Sequence, residues 1–291
     1  MKPTVLVLSA LLAAGLVGCE SAESEDVVAE VADPTPARTA EDSAALPASR
    51  EPEADSTTLE PERRATPPTP DRSYLTINIA DARLLVTDST GRRTGIDPAT
   101  GEEFLEIPRA VHYADAIDDD VTSEAAVVTV FSVEIPRPSE GRYRVLVGGL
   151  KQGARRLQVG AVTVEGDVQR PLLKAPVILE VGSTSLFEVE YFSSPGATSR
   201  LTRLATFEST LEDISNCFEQ GLIPDEATAN ELTQRIRAAA EAEAANESAA
   251  SRNRLDEFRT VVRSLLPAQI DTAAAQALRE DADYLIREPL G

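Results

Sequence analysis

The chain has 291 residues, 42% of them hydrophobic, which is enough to bury a core, yet aromatic residues make up only 4% and Trp is absent. Its formal net charge of -21 repels phosphate backbones, so nucleic acid is excluded as a partner. The same charge repels anionic headgroups, and membrane attachment therefore needs a hydrophobic or covalent device rather than a basic patch.

Residues 1–18 have the layout of a signal peptide, with Lys2 as a positive start and an apolar run from Val5 to Leu16 broken only by Ser9. The run is shorter than the ~20 apolar residues a spanning helix needs. Its end, Leu16-Val17-Gly18-Cys19, resembles the lipobox of bacterial lipoproteins. That resemblance implies cleavage before Cys19 and lipidation of its thiol. Two or three acyl chains, each buried methylene contributing about 0.8 kcal/mol, make such an anchor effectively permanent. Glu20 stands where an Asp marks inner-membrane retention in lipoproteins, so the resemblance also implies a cell-envelope location on the outer membrane.

Residues 19–72 then read as the lipidated Cys followed by a disordered acidic tether. From Glu20 to Arg72 there is no aromatic residue, roughly nine net negative charges accumulate, and Pro67-Pro68-Thr69-Pro70 stiffens the distal end. A flexible coil of this length spans roughly 40 Å, more with self-repulsion.

At Tyr74 the pattern turns to alternation, with Leu75, Ile77 and Ile79 on one face and Thr76 and Asn78 on the other. Leu84-Leu85-Val86 runs into the turn residues Thr87 to Gly91, and Asp97-Pro98-Ala99-Thr100-Gly101 forms a second turn. Further strands are expected at Val127 to Ile135, Arg142 to Val147, Leu157 to Val164, Val177 to Val181 and Leu186 to Phe192. Short strands at turn-punctuated intervals predict a small antiparallel β-sandwich over residues 73–195. Within it, Pro138 to Val145 is similar to the P-x-x-G-x-Y-x-V edge of extracellular β-sandwich modules such as the prepeptidase C-terminal type. Asp115, Asp118, Asp119 and Asp120 make an oxygen-rich loop, a candidate calcium site whose spacing differs from the EF-hand. His112, the one histidine, lacks a second His or ligand Cys nearby and is expected as a partly packed loop residue.

After Ser193-Ser194-Pro195-Gly196 the period becomes helical, and residues 198–289 are expected as an antiparallel bundle. Leu201, Leu204, Leu211, Ile214 and Phe218 form one stripe, ended by Gly221. Pro224-Asp225 opens a second helix with Ala229, Leu232, Ile236 and Ala239 inward. The Ala- and Glu-rich run from Ala238 to Ala250 reads as a frayed end or an exposed rod. Leu255, Phe258, Val262 and Leu265 mark a third helix, stopped near Pro267. Asp271 caps a fourth through Ala274, Leu278, Ala282 and Leu285. The order Gly221-Leu222-Ile223, these inward stripes, Ile270 and Asp281 to Ile286 resembles the FIMAH-type helical module found at the end of bacterial secreted and surface proteins. Members carry a Gly-Asn turn between the middle helices, whereas Ala244-Ala245-Asn246-Glu247 stands there without the Gly. The resemblance implies a non-catalytic accessory module. Cys217 has no partner for an intramolecular disulfide once Cys19 is lipidated, and reads as a small buried hydrophobe or a reactive odd thiol.

No Gly-x-Ser-x-Gly, His-Glu-x-x-His, phosphate-loop or dinucleotide pattern is present, so no catalytic residue and no resident cofactor are expected. The sequence thus points to a non-enzymatic binding or scaffolding protein, anchored by lipid and contacting an envelope protein or polysaccharide. Two alternatives stand beside it: a calcium-dependent adhesive module around Asp115 to Asp120, and a hydrolase with a carboxylate site outside the familiar motifs.

Overall fold

A computed structural model describes residues 70–117 and 128–288, and Cys19, the tether up to residue 69 and Asp118 to Asp120 lie outside them. In chain order the strands are β1 (Tyr74–Ala80), β2 (Ala82–Thr87), β3 (Arg93–Ile96), β4 (Glu103–Leu105), β5 (Val111–Ile117), β6 (Val128–Pro136), β7 (Gly141–Gly149), β8 (Gly153–Val162), β9 (Leu173–Leu179), β10 (Thr184–Tyr191) and β11 (Arg200–Leu204). Four helices follow: α1 (Phe207–Glu219), α2 (Glu226–Ala244), α3 (Ser248–Ser264) and α4 (Thr272–Arg287). The strands form two antiparallel sheets, ordered β5-β6-β1-β8-β9 and β11-β10-β7-β2-β3-β4. Leu75, Ile77 and Ile79 face Val145, Val147 and Phe187 across a shared core, as alternation in each strand requires.

One residue carries the chain from the first sheet to the second. Asp81, between β1 and β2, takes φ 54°, a left-handed conformation that Asp tolerates better than most residues. Its N–H donates to Thr129 O at 2.7 Å and its carbonyl accepts from Leu150 N–H at 3.0 Å. Burial alone would raise its carboxyl pKa, but hydrogen bonds from Lys151 and Arg155 outweigh that and hold it below the usual carboxylate range. The ion pairs measure 3.1 Å to Lys151 Nζ and 3.0 Å to Arg155. In the P-x-x-G-x-Y-x-V segment, Tyr143 is buried and its hydroxyl donates to Ser139 O at 2.7 Å, fixing the entry into β7.

Several expectations are corrected. Val111–Ile117, expected as a loop, is an edge strand in register with β6, and it holds both His112 and Asp115. The short strands β3 and β4 extend the second sheet beyond the expected set. Leu201 and Leu204 are not in a helix: Arg200–Leu204 pairs with β10, so the sandwich continues past residue 195. A three-residue spacing fits a helix face, whereas in a strand it puts Leu201 and Leu204 on opposite faces, and the pairing with Leu186 to Glu190 decides for the strand. The first helix starts at Phe207, where Thr206 and Ser209 cap each other reciprocally. On its inward face Cys217 is buried in the place expected for Phe218, which is 37% exposed.

The first two helices end by one device. At Gly221 (φ 72°) the N–H of Leu222 reaches Cys217 O at 2.8 Å and that of Gly221 reaches Phe218 O at 3.0 Å, a Schellman cap. Asn246 (φ 59°) repeats it, with Glu247 N–H on Ala242 O at 2.8 Å and Asn246 N–H on Glu243 O at 2.9 Å. The Ala- and Glu-rich run is therefore neither frayed nor a rod. It turns sharply, with Asn246 in the role Gly has elsewhere, and α3 begins at Ser248.

The bundle packs on the sandwich. Along β9, Ala175, Val177 and Leu179 enter the sandwich core, while Ile178 belongs to the helical core with Ile214, Leu232, Phe258 and Leu278. Gln220 Nε2 donates to Leu179 O at 2.7 Å across the same junction. Covering β9 on both faces explains its unbroken apolar run.

Replacing Asn246 by Ala is expected to destabilise the protein by about 1 kcal/mol, the usual cost of placing an ordinary side chain in the left-handed region, whereas Asn246→Gly is expected to be neutral or stabilising. Urea titrations of the three proteins check this.

Candidate functional site

Arg203 lies inward on β11, directly opposite Phe187 of β10, with its guanidinium 5.5 Å from that ring. It is 4% exposed and makes three sets of bonds. Nη1 donates to Pro176 O of β9 at 3.2 Å, Nε donates to Asp281 Oδ1 of α4 at 2.5 Å, and Nη2 donates to Asp213 Oδ2 of α1. One side chain thus joins both sheets and both helices that touch them.

The charges do not balance, because a single guanidinium meets two carboxyls in a site closed to water. Burial works against the charge of Arg203, but Asp281 and Asp213 more than restore it, and the group stays cationic. Burial pushes Asp213 up to about 7, against the pull of Arg203 and with the help of the Asp281 charge. Asp281 is raised too, by burial first. The pair keeps one proton where free carboxyls have lost theirs. Oδ2 of Asp281, buried with no N–H or hydroxyl partner, is left to that proton. Glu280 beside them is also raised by burial.

Above this cluster a cavity of 470 Å³ opens between the outer face of the second sheet and α1. Its floor is a cross-strand row, Leu204, Leu186 and Leu146, in register on β11, β10 and β7. Ser183, Thr184, Ser185, Thr206, Ser209 and Tyr284 are also in the lining, with the Ser183 and Ser209 hydroxyls donating to Glu180 O and Thr206 O. Arg144 and Glu212 are also in the lining, both exposed. Asn216 of α1 closes the wall; it is 7% exposed, and its Nδ2 has no hydrogen-bond partner.

The sequence marks Leu186, Leu204 and Asp281 only as parts of an expected strand, helix stripe or family-like run, and none of the cluster or cavity residues as functional, although a signal existed. Asp281 interrupts the inward stripe of α4 between Leu278 and Leu285, and Arg203 alternates with Leu201 on an inward face. A charge on a buried stripe needs a partner. The singled-out residues are placed differently. Asp115 is exposed on β5, so the described part of the candidate calcium loop is strand, and Asp118 to Asp120 are outside the described residues. No group of three or more potential metal ligands occurs among the described residues. His112 is a half-buried strand residue whose Nε2 lies 2.9 Å from Glu103 Oε1. Cys217 is fully buried, and burial raises its thiol far above the normal range, so it is an inert core residue in the folded protein. Cys19 is outside the described residues, and no described helix is long and apolar enough to cross a membrane.

Residues 207–287 match the FIMAH domain family, beginning at the first residue of α1 and ending at the last of α4. No curated protein matches the chain.

Removing Arg203 alone, as Arg203→Met, leaves two buried carboxyls without their cation and is expected to cost about 3–5 kcal/mol in denaturant stability. Adding Asp213→Asn and Asp281→Asn is expected to recover most of that loss. The retained proton also sets a pH dependence. Between the unfolded value near 3.8 and the folded value of about 7, the native state holds a proton that the unfolded chain has released, so stability falls as pH rises through that window. Urea midpoints of the native protein are expected to drop from about pH 5 to about pH 8, and Asp213→Asn to flatten the profile.

Proposed function

We propose that the protein is a non-enzymatic binding or scaffolding module of the cell envelope, anchored through lipid on Cys19 and carried clear of the bilayer by the acidic segment that follows. The observation that carries this reading is the lipobox-like Leu16-Val17-Gly18-Cys19. Once acylated, that cysteine confines the folded part to a membrane surface and favours contact with other envelope components. The FIMAH match over residues 207–287 supports it in so far as resemblance to that family implies a non-catalytic accessory module.

The state of the buried carboxyls supports binding over hydrolysis. Asp213 has the raised pKa that a general acid requires and lies in the cavity lining, which is the one feature favouring a hydrolase. Its carboxyl is bonded to Arg203, however, and its partner Asp281 is 1% exposed, so the buried pair itself offers no free carboxylate to activate water.

Cys19→Ser is expected to move the protein from the membrane to the soluble fraction or to leave its precursor unprocessed. Fractionation, with mass spectrometry of the native N-terminus for fatty acid, checks this. A soluble, unacylated native protein would overturn the reading.

A further inference from the structure

We infer that the cavity between β10, β11 and α1 binds an uncharged, hydroxyl-rich ligand, a short stretch of pyranose units from a neutral glycan. This rests on the binding role proposed above and names the ligand class. Four observations converge on it. The volume of 470 Å³ falls within the range of small-ligand sites and is bounded by a sheet floor and the wall of α1, a shape suited to a compact group rather than a flat protein surface. The floor of Leu146, Leu186 and Leu204 is aliphatic and matches the C–H face of a sugar ring.

The rim carries the exposed hydroxyl of Thr184 on the strand side, together with Ser183 and Ser209, whose hydroxyls donate to Glu180 O and Thr206 O and so are left to accept from a ligand. The Thr184 hydroxyl donates and accepts, so with these acceptors it suits the vicinal hydroxyls of a pyranose. Charge decides against an ionic ligand: Arg203 and Asp213 are bonded to each other, and Arg144 and Glu212 contribute one charge of each sign. The net charge of -21 on the whole chain further opposes a polyanion.

The fourth observation is Asn216. A side chain 93% buried, with an amide Nδ2 lacking a partner, is costly unless something supplies an acceptor. A ring or glycosidic oxygen, a hydroxyl or an acetamido carbonyl would do so.

The test is isothermal titration of the full acylated chain in detergent with neutral trisaccharides (maltotriose, cellotriose, triacetylchitotriose), set against anionic trigalacturonate and cationic chitotriose. Saturable binding of at least one neutral probe, with neither charged probe binding, is expected. Asn216→Leu is expected to weaken that binding at least tenfold without lowering the melting temperature, since the amide removed has no partner to lose. Thr184→Trp, at an exposed position on the rim, is expected to abolish binding, again at an unchanged melting temperature. The inference is overturned if no neutral probe binds, if a charged probe binds more tightly, or if both variants bind like the native protein. An envelope protein cross-linked at this cavity while every saccharide fails would remove the glycan and leave the anchored binding role standing. A soluble, unacylated native protein would remove that role and leave the saccharide titration unaffected.

Discussion

The structure depends on one guanidinium. Arg203 is the place where the edge strand β11, the opposite edge strand β9 and the helices α1 and α4 meet, and its bonds to Pro176 O, Asp213 and Asp281 turn two hydrophobic cores into one body. The apolar contact at Ile178 supplies much of the attraction between them, but apolar packing has no preferred register. Directional, charge-assisted bonds, one to each of two helices, fix which residues face which strand. A buried charge is a poor source of net stability, since desolvation offsets most of its Coulomb energy, and its value here is in specifying one arrangement of sandwich and bundle.

The excess carboxyl gives that arrangement its chemical character. Had Arg203 met a single Asp, the site would be neutral and indifferent to pH across the physiological range. With two, burial and mutual repulsion force the pair to keep a proton. Asp81, by contrast, sits at the opposite limit, a single carboxylate between Lys151 and Arg155 whose pKa is lowered. The two sites act on stability in different windows: Asp81 loses its partners only in acid, whereas the Asp213 and Asp281 pair is strained as the solution becomes neutral.

The parts of the fold legible in the sequence were those where a single period dominates. Leu75, Ile77 and Ile79 could face only one way, and the stripes of α2, α3 and α4 were inward where expected. The sandwich followed by a bundle was likewise readable from the change of period near residue 200. What escaped were positions where local pattern is weak and long-range pairing decides. β5 is an edge strand with largely exposed side chains, so its alternation carried little apolar contrast. β11 has five residues, too few to separate a period of two from one of 3.6. At Asn246 the missing Gly suggested a missing turn, yet Asn also reaches the left-handed region, and the Schellman bonds form all the same. Arg203, Asp213 and Asp281 are distant in sequence, and composition in a very acidic chain hides individual buried carboxyls among solvated ones.

The cavity is a consequence of the docking rather than of either half. Its floor belongs to the second sheet, through Leu146, Leu186 and Leu204, and its wall belongs to α1, through Ser209, Glu212 and Asn216. Asp213 lies on the same helix between Glu212 and Asn216, one turn from the amide that lacks a partner, and Arg203 lies on the same strand next to Leu204. The bond between Asp213 and Arg203 therefore sets the distance between wall and floor. Neither an isolated sandwich nor an isolated helical module would present this site. Any ligand held there contacts both halves at once, so occupancy and the junction stabilise each other by mass action.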